Sequence, residues 1–352
     1  MAADRYIHAM RHVFAFLAGC SLIAVLAGCV PPVAADPHAA PPSETTATQV
    51  AEPAVSPRPE LAFDGDCRAI FAEAEIGDLV GTDVRPGAAP ESGRSSAVEV
   101  LGGTSCTWTD EDGVRLVWLT VIPASGLHEV IAAASTDQPR CYGSDQLVGQ
   151  DGACSFSAVA GGYWLAGVFT VASSSGKRAT EGIDALSTLL ARRAATVPAN
   201  IVERPHRMWT EVGDCAGLAD RVDTAAVLGS EALSADRGSV GGEAGPGFYG
   251  ALDALGHEAC IWTAADGEYR FETELLPGAG WVVPRLVDQG AATSLALDRV
   301  LAAAGVDRDG AATSIFATDG VNLVSVTIPT GKVDSAQLPA LVSALIAGAS
   351  SH

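Results

Sequence analysis

Apolar positions along this chain recur in two rhythms, and each rhythm occurs twice. After Cys67, the residues Ile70, Phe71, Ala74 and Leu79 share one face of a helix; after Cys215, the residues Leu218, Val222, Ala225 and Ala226 do the same. Gly81 and Gly229 follow as helix stops. The second rhythm has period two. Cys106-Thr107-Trp108-Thr109 leads through Asp112-Gly113 into 114–122, where Leu116, Trp118, Thr120 and Ile122 alternate, and Cys260-Ile261-Trp262-Thr263 leads through Asp266-Gly267 into 268–276. Asp-Gly supplies the positive φ angles of a tight hairpin turn, so each segment predicts a β-hairpin. Helices are predicted over 127–135 and 281–287, with a further one over 294–304 in the second copy. A second hairpin runs 153–159, Gly161-Gly162, 163–171, and its counterpart 312–317, Asp319-Gly320, 321–328. Helices over 180–194 and 335–347 close the two copies.

The landmarks coincide. Gly65-Asp66-Cys67 returns as Gly213-Asp214-Cys215, and Pro123 and Gly126 return as Pro277 and Gly280 at the same distance from the local cysteine. Such spacing marks an internal duplication. The expected fold is therefore α+β: two tandem copies of a helix-hairpin-helix-hairpin-helix module with antiparallel sheet, over 61–197 and 208–349. The stretch 198–205 is the expected hinge. Gly/Pro/Ser-rich loops at 82–103 and 230–250 occupy the same place in both copies and are candidate binding surfaces.

The N-terminus breaks both rhythms. Arg5, Arg11 and His12 precede an uncharged, mostly apolar run over 13–28, which is too short for the about 20 residues of a spanning helix and suited to a signal-peptide core. It ends in Leu26-Ala27-Gly28-Cys29, a motif similar to a bacterial lipobox, which implies cleavage before Cys29 and a lipid thioether on it. Leu17-Ala18-Gly19-Cys20 repeats the motif, but leaves an apolar core at the lower limit of about 7 residues. We expect residues 1–28 to be a lipoprotein signal peptide and 29–60 the lipid anchor with a Pro-rich disordered stalk. Eight prolines fall between Val30 and Glu60, and such a segment buries too little to offset its ordering entropy. Extended, it would reach on the order of 90 Å.

The compartment decides how the eight cysteines read. No Cys-x-x-Cys occurs and the histidines are scattered, which argues against a zinc site. Outside the cytoplasm disulfides are the default. The repeat then pairs Cys67 with Cys106 and Cys215 with Cys260, and leaves Cys141 for Cys154. Cleavage before Cys29 removes Cys20 and leaves an even six to pair, whereas an anchor on Cys20 would strand Cys29 as a free thiol.

The net charge of −21 excludes a nucleic-acid binder, since phosphate backbones would be repelled. Chemistry is sparse. Ser174-Ser175-Gly176-Lys177 fits Ser-x-x-Lys without the motifs that accompany it in penicillin-recognising enzymes. Asp110-Glu111-Asp112-Gly113 and Asp307-Arg308-Asp309-Gly310 are calcium-like fragments lacking the closing Glu, and read as turns. Trp108 and Trp262 point the same way as the strand cysteines, and so are expected beside the disulfides rather than in a pocket. No catalytic residue, metal ligand or cofactor is predicted.

The Cys-helix-Gly segment, the Cys-x-Trp hairpin and the lipobox with its stalk together resemble uncharacterised actinobacterial envelope lipoproteins, here with two tandem domains over 61–348. The resemblance implies location and disulfides, and no known reaction. The expected function is a non-enzymatic lipoprotein on the extracytoplasmic face of the cell membrane, held by its N-terminal lipid and binding an envelope protein, a glycan or a small ligand. The alternatives are an envelope hydrolase without a recognisable motif and a solute-binding lipoprotein of a transporter.

Overall fold

Asp66 and Asp214 begin the two halves in the same way. Each carboxylate accepts a backbone N–H of the first helical turn, from Arg68 at 2.8 Å and from Gly217 at 2.7 Å, which satisfies a donor the helix itself cannot. The computed structural model describes residues 54–87, 94–135, 140–142, 153–170, 176–210, 212–230, 232–238, 245–297, 300–308 and 310–350, which belong to one compact unit. Cys20, Cys29, the expected signal peptide and the stalk as far as residue 53 lie outside the described residues, as do Ser174 and Ser175.

The first half contains α1 (Cys67–Ile70), α2 (Glu73–Val80), β1 (Arg85–Gly87), α3 (Ser96–Val100), β2 (Thr104–Thr109), β3 (Arg115–Pro123), α4 (His128–Ala134), β4 (Arg140–Tyr142), β5 (Ala153–Ala160), β6 (Tyr163–Thr170) and α5 (Gly176–Ala194). The second contains α6 (Cys215–Arg221), α7 (Thr224–Leu228), β7 (Ser234–Arg237), α8 (Pro246–Ala254), β8 (Glu258–Thr263), β9 (Tyr269–Leu276), α9 (Val282–Asp288), β10 (Thr293–Leu295), β11 (Ala302–Arg308), β12 (Ala312–Thr318), β13 (Leu323–Pro329) and α10 (Leu338–Ala349). The sheets run β1-β2-β3-β6-β5-β4 and β7-β8-β9-β13-β12-β11-β10. They share one strand order, with β10 added in the second. Even the bulge recurs, after Trp108 and after Trp262.

This architecture corrects the expected fold class. The fold is mixed α/β on two antiparallel sheets of six and seven strands with ten helices among the described residues, and no helix-hairpin-helix-hairpin-helix module describes it. The predicted first helix is two helices, because Phe71 is extended (φ −144°, ψ 128°) and sends its ring into the core. The predicted loops 82–103 and 230–250 contain an edge strand and a helix each. The predicted helix 294–304 supplies β10 and the start of β11: its alanines favour helix, but pairing along β12 from Ala302↔Thr318 to Arg308↔Ala312 overrides that weak preference.

Each sheet is buried on both faces. On β3, Val117, Leu119 and Val121 face α1, α2 and α5, together with Trp108 and Leu186, while Trp118 and Ile122 face the other way. The second sheet packs Phe271, Leu275 and Val324 against α6 and α10. The remaining faces meet in a core shared by the halves, in which Trp118 and Trp164 of the first join Phe248, Trp281 and Phe316 of the second. Helix α8 lies on β3 and β6 at backbone distance, and glycine makes that possible: a methyl on Gly247 would collide with Thr120 Oγ1, and one on Gly250 with the Trp164 ring. The expected hinge is packed as well, since Val202 rests on Gly102 and Asn200 Nδ2 donates to Glu60 Oε2 at 3.2 Å.

Residues 54–60, expected as the end of the stalk, instead bridge the halves. Ser56 N–H donates to Gly320 O of the second at 2.7 Å, and Ala62 N–H donates to Gly102 O of the first at 2.7 Å. Between them Arg58 binds Glu99 and lies over the Trp281 ring, 5.5 Å from its centroid.

Candidate functional site

The structure joins Cys67 to Cys106, Cys141 to Cys154 and Cys215 to Cys260. The first and third tie an opening helix to the Cys-x-Trp strand of the same half; the second links β4 to β5, whose cysteines face each other in register. Trp108 and Trp262 are fully buried beside these bridges and line no opening. Asp110 forms a turn, accepting Val114 N–H on Oδ1 at 2.8 Å, with Gly113 at φ +83°. The side chains of Lys177, Asp307, Arg308 and Asp309 lie outside the described residues.

The candidate site is a depression of about 520 Å³ in the second half, where the chain entering α6 passes the end of α8 and the start of β8. Thr210, Arg237, Tyr249, Asp253, His257 and Glu258 supply its polar wall. Tyr249 and Asp253 are one helical turn apart on α8, so they share a face. His257 follows the helix, its N–H closing onto Leu252 O at 3.0 Å.

His257 is buried, and its Nε2 has no hydrogen-bond partner. Burial, reinforced by the nearby Arg94 and Arg237 guanidiniums, pushes its pKa down to about 4, so the imidazole is neutral at physiological pH. Glu258 is held above the ordinary carboxylate range by burial, with Arg237 opposing and Asp214 adding to the rise. Its Oε2 lies 3.7 Å from Arg237 Nη2, and its Oε1 lies 3.2 Å from Cys215 Sγ. Cys215, Cys260 and Glu258 are close enough together to suggest a metal centre. Both sulfurs, however, are spent in the disulfide, so neither offers a thiolate and the cluster is no metal site.

The same place in the first half is closed. Glu258 corresponds to Thr104, His257 to Gly103 and Thr210 to Ala62. Thr104 Oγ1 donates to Ala62 O at 2.6 Å, sealing the seam that remains open in the second half. The candidate binding loop 230–250 contributes Arg237 and Tyr249 to the depression, and the Gly213 landmark lies on its wall, but Thr210, Asp253, His257 and Glu258 were not singled out as binding residues. The available signal was the difference between copies: Ser95, Glu99, Gly103 and Thr104 in one, Tyr249, Asp253, His257 and Glu258 in the other.

Comparison with protein families, curated proteins and solved structures finds no match to this chain.

Proposed function

We propose that this chain is an envelope lipoprotein, tethered through Cys29 on the extracytoplasmic face of the membrane, and that it acts by binding at the depression of its second half rather than by catalysis. The observation that carries the location is the pairing of all six cysteines beyond Cys29, which suits an oxidising compartment. The lipobox-like Leu26–Cys29 adds the means of attachment, with diacylation giving the two chains that stable anchoring needs.

The depression supports binding over chemistry. His257 keeps Nε2 out of the reach of water, and Glu258 is engaged with Arg237 against a disulfide. What faces outward is a shelf of Tyr249, Asp253 and Arg237. The core shared by the halves supports the same reading against the transporter alternative, which needs two lobes able to part around a solute.

Two measurements test it. Intact-mass analysis of the membrane-extracted protein should show an N-terminal, lipid-bearing Cys29, and Cys29→Ser should release the chain from membranes. A lipid on Cys20, or unchanged membrane retention of the variant, would sink the tether. Thermal denaturation of the full chain in detergent, with basic peptides, neutral oligosaccharides and inorganic phosphate in turn, should show saturable stabilisation by one class. No stabilisation by any of the three would count against the binding role.

A further inference from the structure

Each half serves as a reference for the other, and the first shows what the second lacks. On and after α3, the face made by Ser95, Val98, Glu99 and Gly102 corresponds position by position to Tyr249, Leu252, Asp253 and Gly256 at the depression. The chain's own segment 58–62 covers the first of these faces. Arg58 directs Nε and Nη2 to Glu99 Oε2, both at 2.9 Å, and places its guanidinium over Trp281. Glu60 O and Val202 lie against Gly102, while Ala62 both donates to Gly102 O and accepts from Thr104. It is an extended peptide anchored by one arginine on one carboxylate and by its backbone on the carbonyl after the helix.

We propose that the depression of the second half takes an extended, basic segment of another polypeptide, held as residues 58–62 are held in the first. This rests on the reading that the depression is a binding site. Asp253 stands where Glu99 receives Arg58. Gly256 stands where Gly102 accepts a backbone N–H, and among the described residues Thr210 makes no bond to it. Glu258 replaces Thr104 and adds a second carboxylate, with Asp214 close by. Arg237 is offset by Glu258 and His257 carries no charge, so the depression is net acidic. Tyr249, 37% exposed, offers a ring to a guanidinium, as Trp281 does to Arg58. The chain's overall charge of −21 would speed the approach of a basic partner.

The test uses the full chain in detergent and a fluorescein-labelled peptide copying residues 54–62 with Glu60→Gln, which removes the one acid that cancels Arg58 and leaves the peptide basic, read by anisotropy. Saturable binding is expected, weakened about tenfold by Asp253→Asn, as for loss of a charge-assisted pair, and by Arg58→Ala within the peptide. Asp253 is exposed, so its variant should fold; Tyr249→Ser, which restores the first-half residue, is a second variant expected to weaken binding severalfold. No saturable binding, or equal binding to wild type and Asp253→Asn, overturns the proposal. So does weakening by Glu99→Gln in place of Asp253→Asn, which would mean exchange into the first half. A neutral oligosaccharide that binds in an Asp253-dependent way while basic peptides do not also overturns it, yet leaves the depression a binding site. A Cys29 found without lipid would defeat the tether alone.

Discussion

Trp262 donates its indole N–H to Thr273 Oγ1 at 3.0 Å, deep in the second half. The equivalent Trp108 has Leu119 in place of that threonine, and its Nε1 is buried without a partner. One position thus decides whether a fully buried indole is satisfied. Thr273→Val keeps the shape, removes the acceptor and should cost about 1–3 kcal/mol, the desolvation penalty of an orphaned donor. Urea denaturation gives the value. A loss within error of zero would show that the indole finds another acceptor.

The contact between α8 and the first sheet predicts the effect of a single methyl. Gly247→Ala meets the buried Thr120, and Gly250→Ala meets Trp164. Each should destabilise by about 1–3 kcal/mol through overpacking, despite the better helix propensity of alanine. A rise in the unfolding midpoint would mean that the helix is not seated as described.

His257 makes stability depend on pH. Its pKa is lowered from 6.5 to about 4 in the folded chain, so between these values the unfolded state takes up a proton that the folded state refuses. Stability therefore falls as pH drops from about 6.5 toward 4, by up to roughly 3 kcal/mol for this group. Urea titrations of wild type and His257→Gln across that window should converge by about this amount at the acid end. Parallel curves would show that the imidazole titrates normally.

The disulfides should differ in worth. In the chain-entropy account, removing Cys67–Cys106 or Cys215–Cys260, which span 39 and 45 residues, costs about 4 kcal/mol each. Cys141–Cys154 spans 13 and should cost about 3 kcal/mol. Paired Cys→Ala variants compared by denaturation test the order. A larger loss for the short bridge would point to native-state packing as the dominant contribution.

Much of the scaffold was legible because hairpins announce themselves locally. Asp112-Gly113 and Asp266-Gly267 force tight turns, and the duplicated cysteines mark the strands beside them. What escaped depended on distant contacts. Pro246-Gly247-Phe248-Tyr249-Gly250 reads as a loop, yet its glycines are there so that α8 can lie on a sheet about a hundred residues away in sequence. Ala302-Ala303-Ala304 reads as helix until the open edge of β12 is known. The depression was legible only at one edge, through the loop 230–250 that holds Arg237 and Tyr249; Asp253, His257 and Glu258 form no motif, and gain meaning only against the closed counterpart in the other half.

The core between the halves carries a consequence for any one-copy relative. A lone copy would leave the Trp118 and Trp164 face of its sheet bare, and the simplest cover for such a face is the same face of a twin, related by a two-fold axis. Fusing the twins makes their association independent of concentration. It also releases them from identity, so that one groove can be closed by the chain's own segment 58–62 while the other is left open.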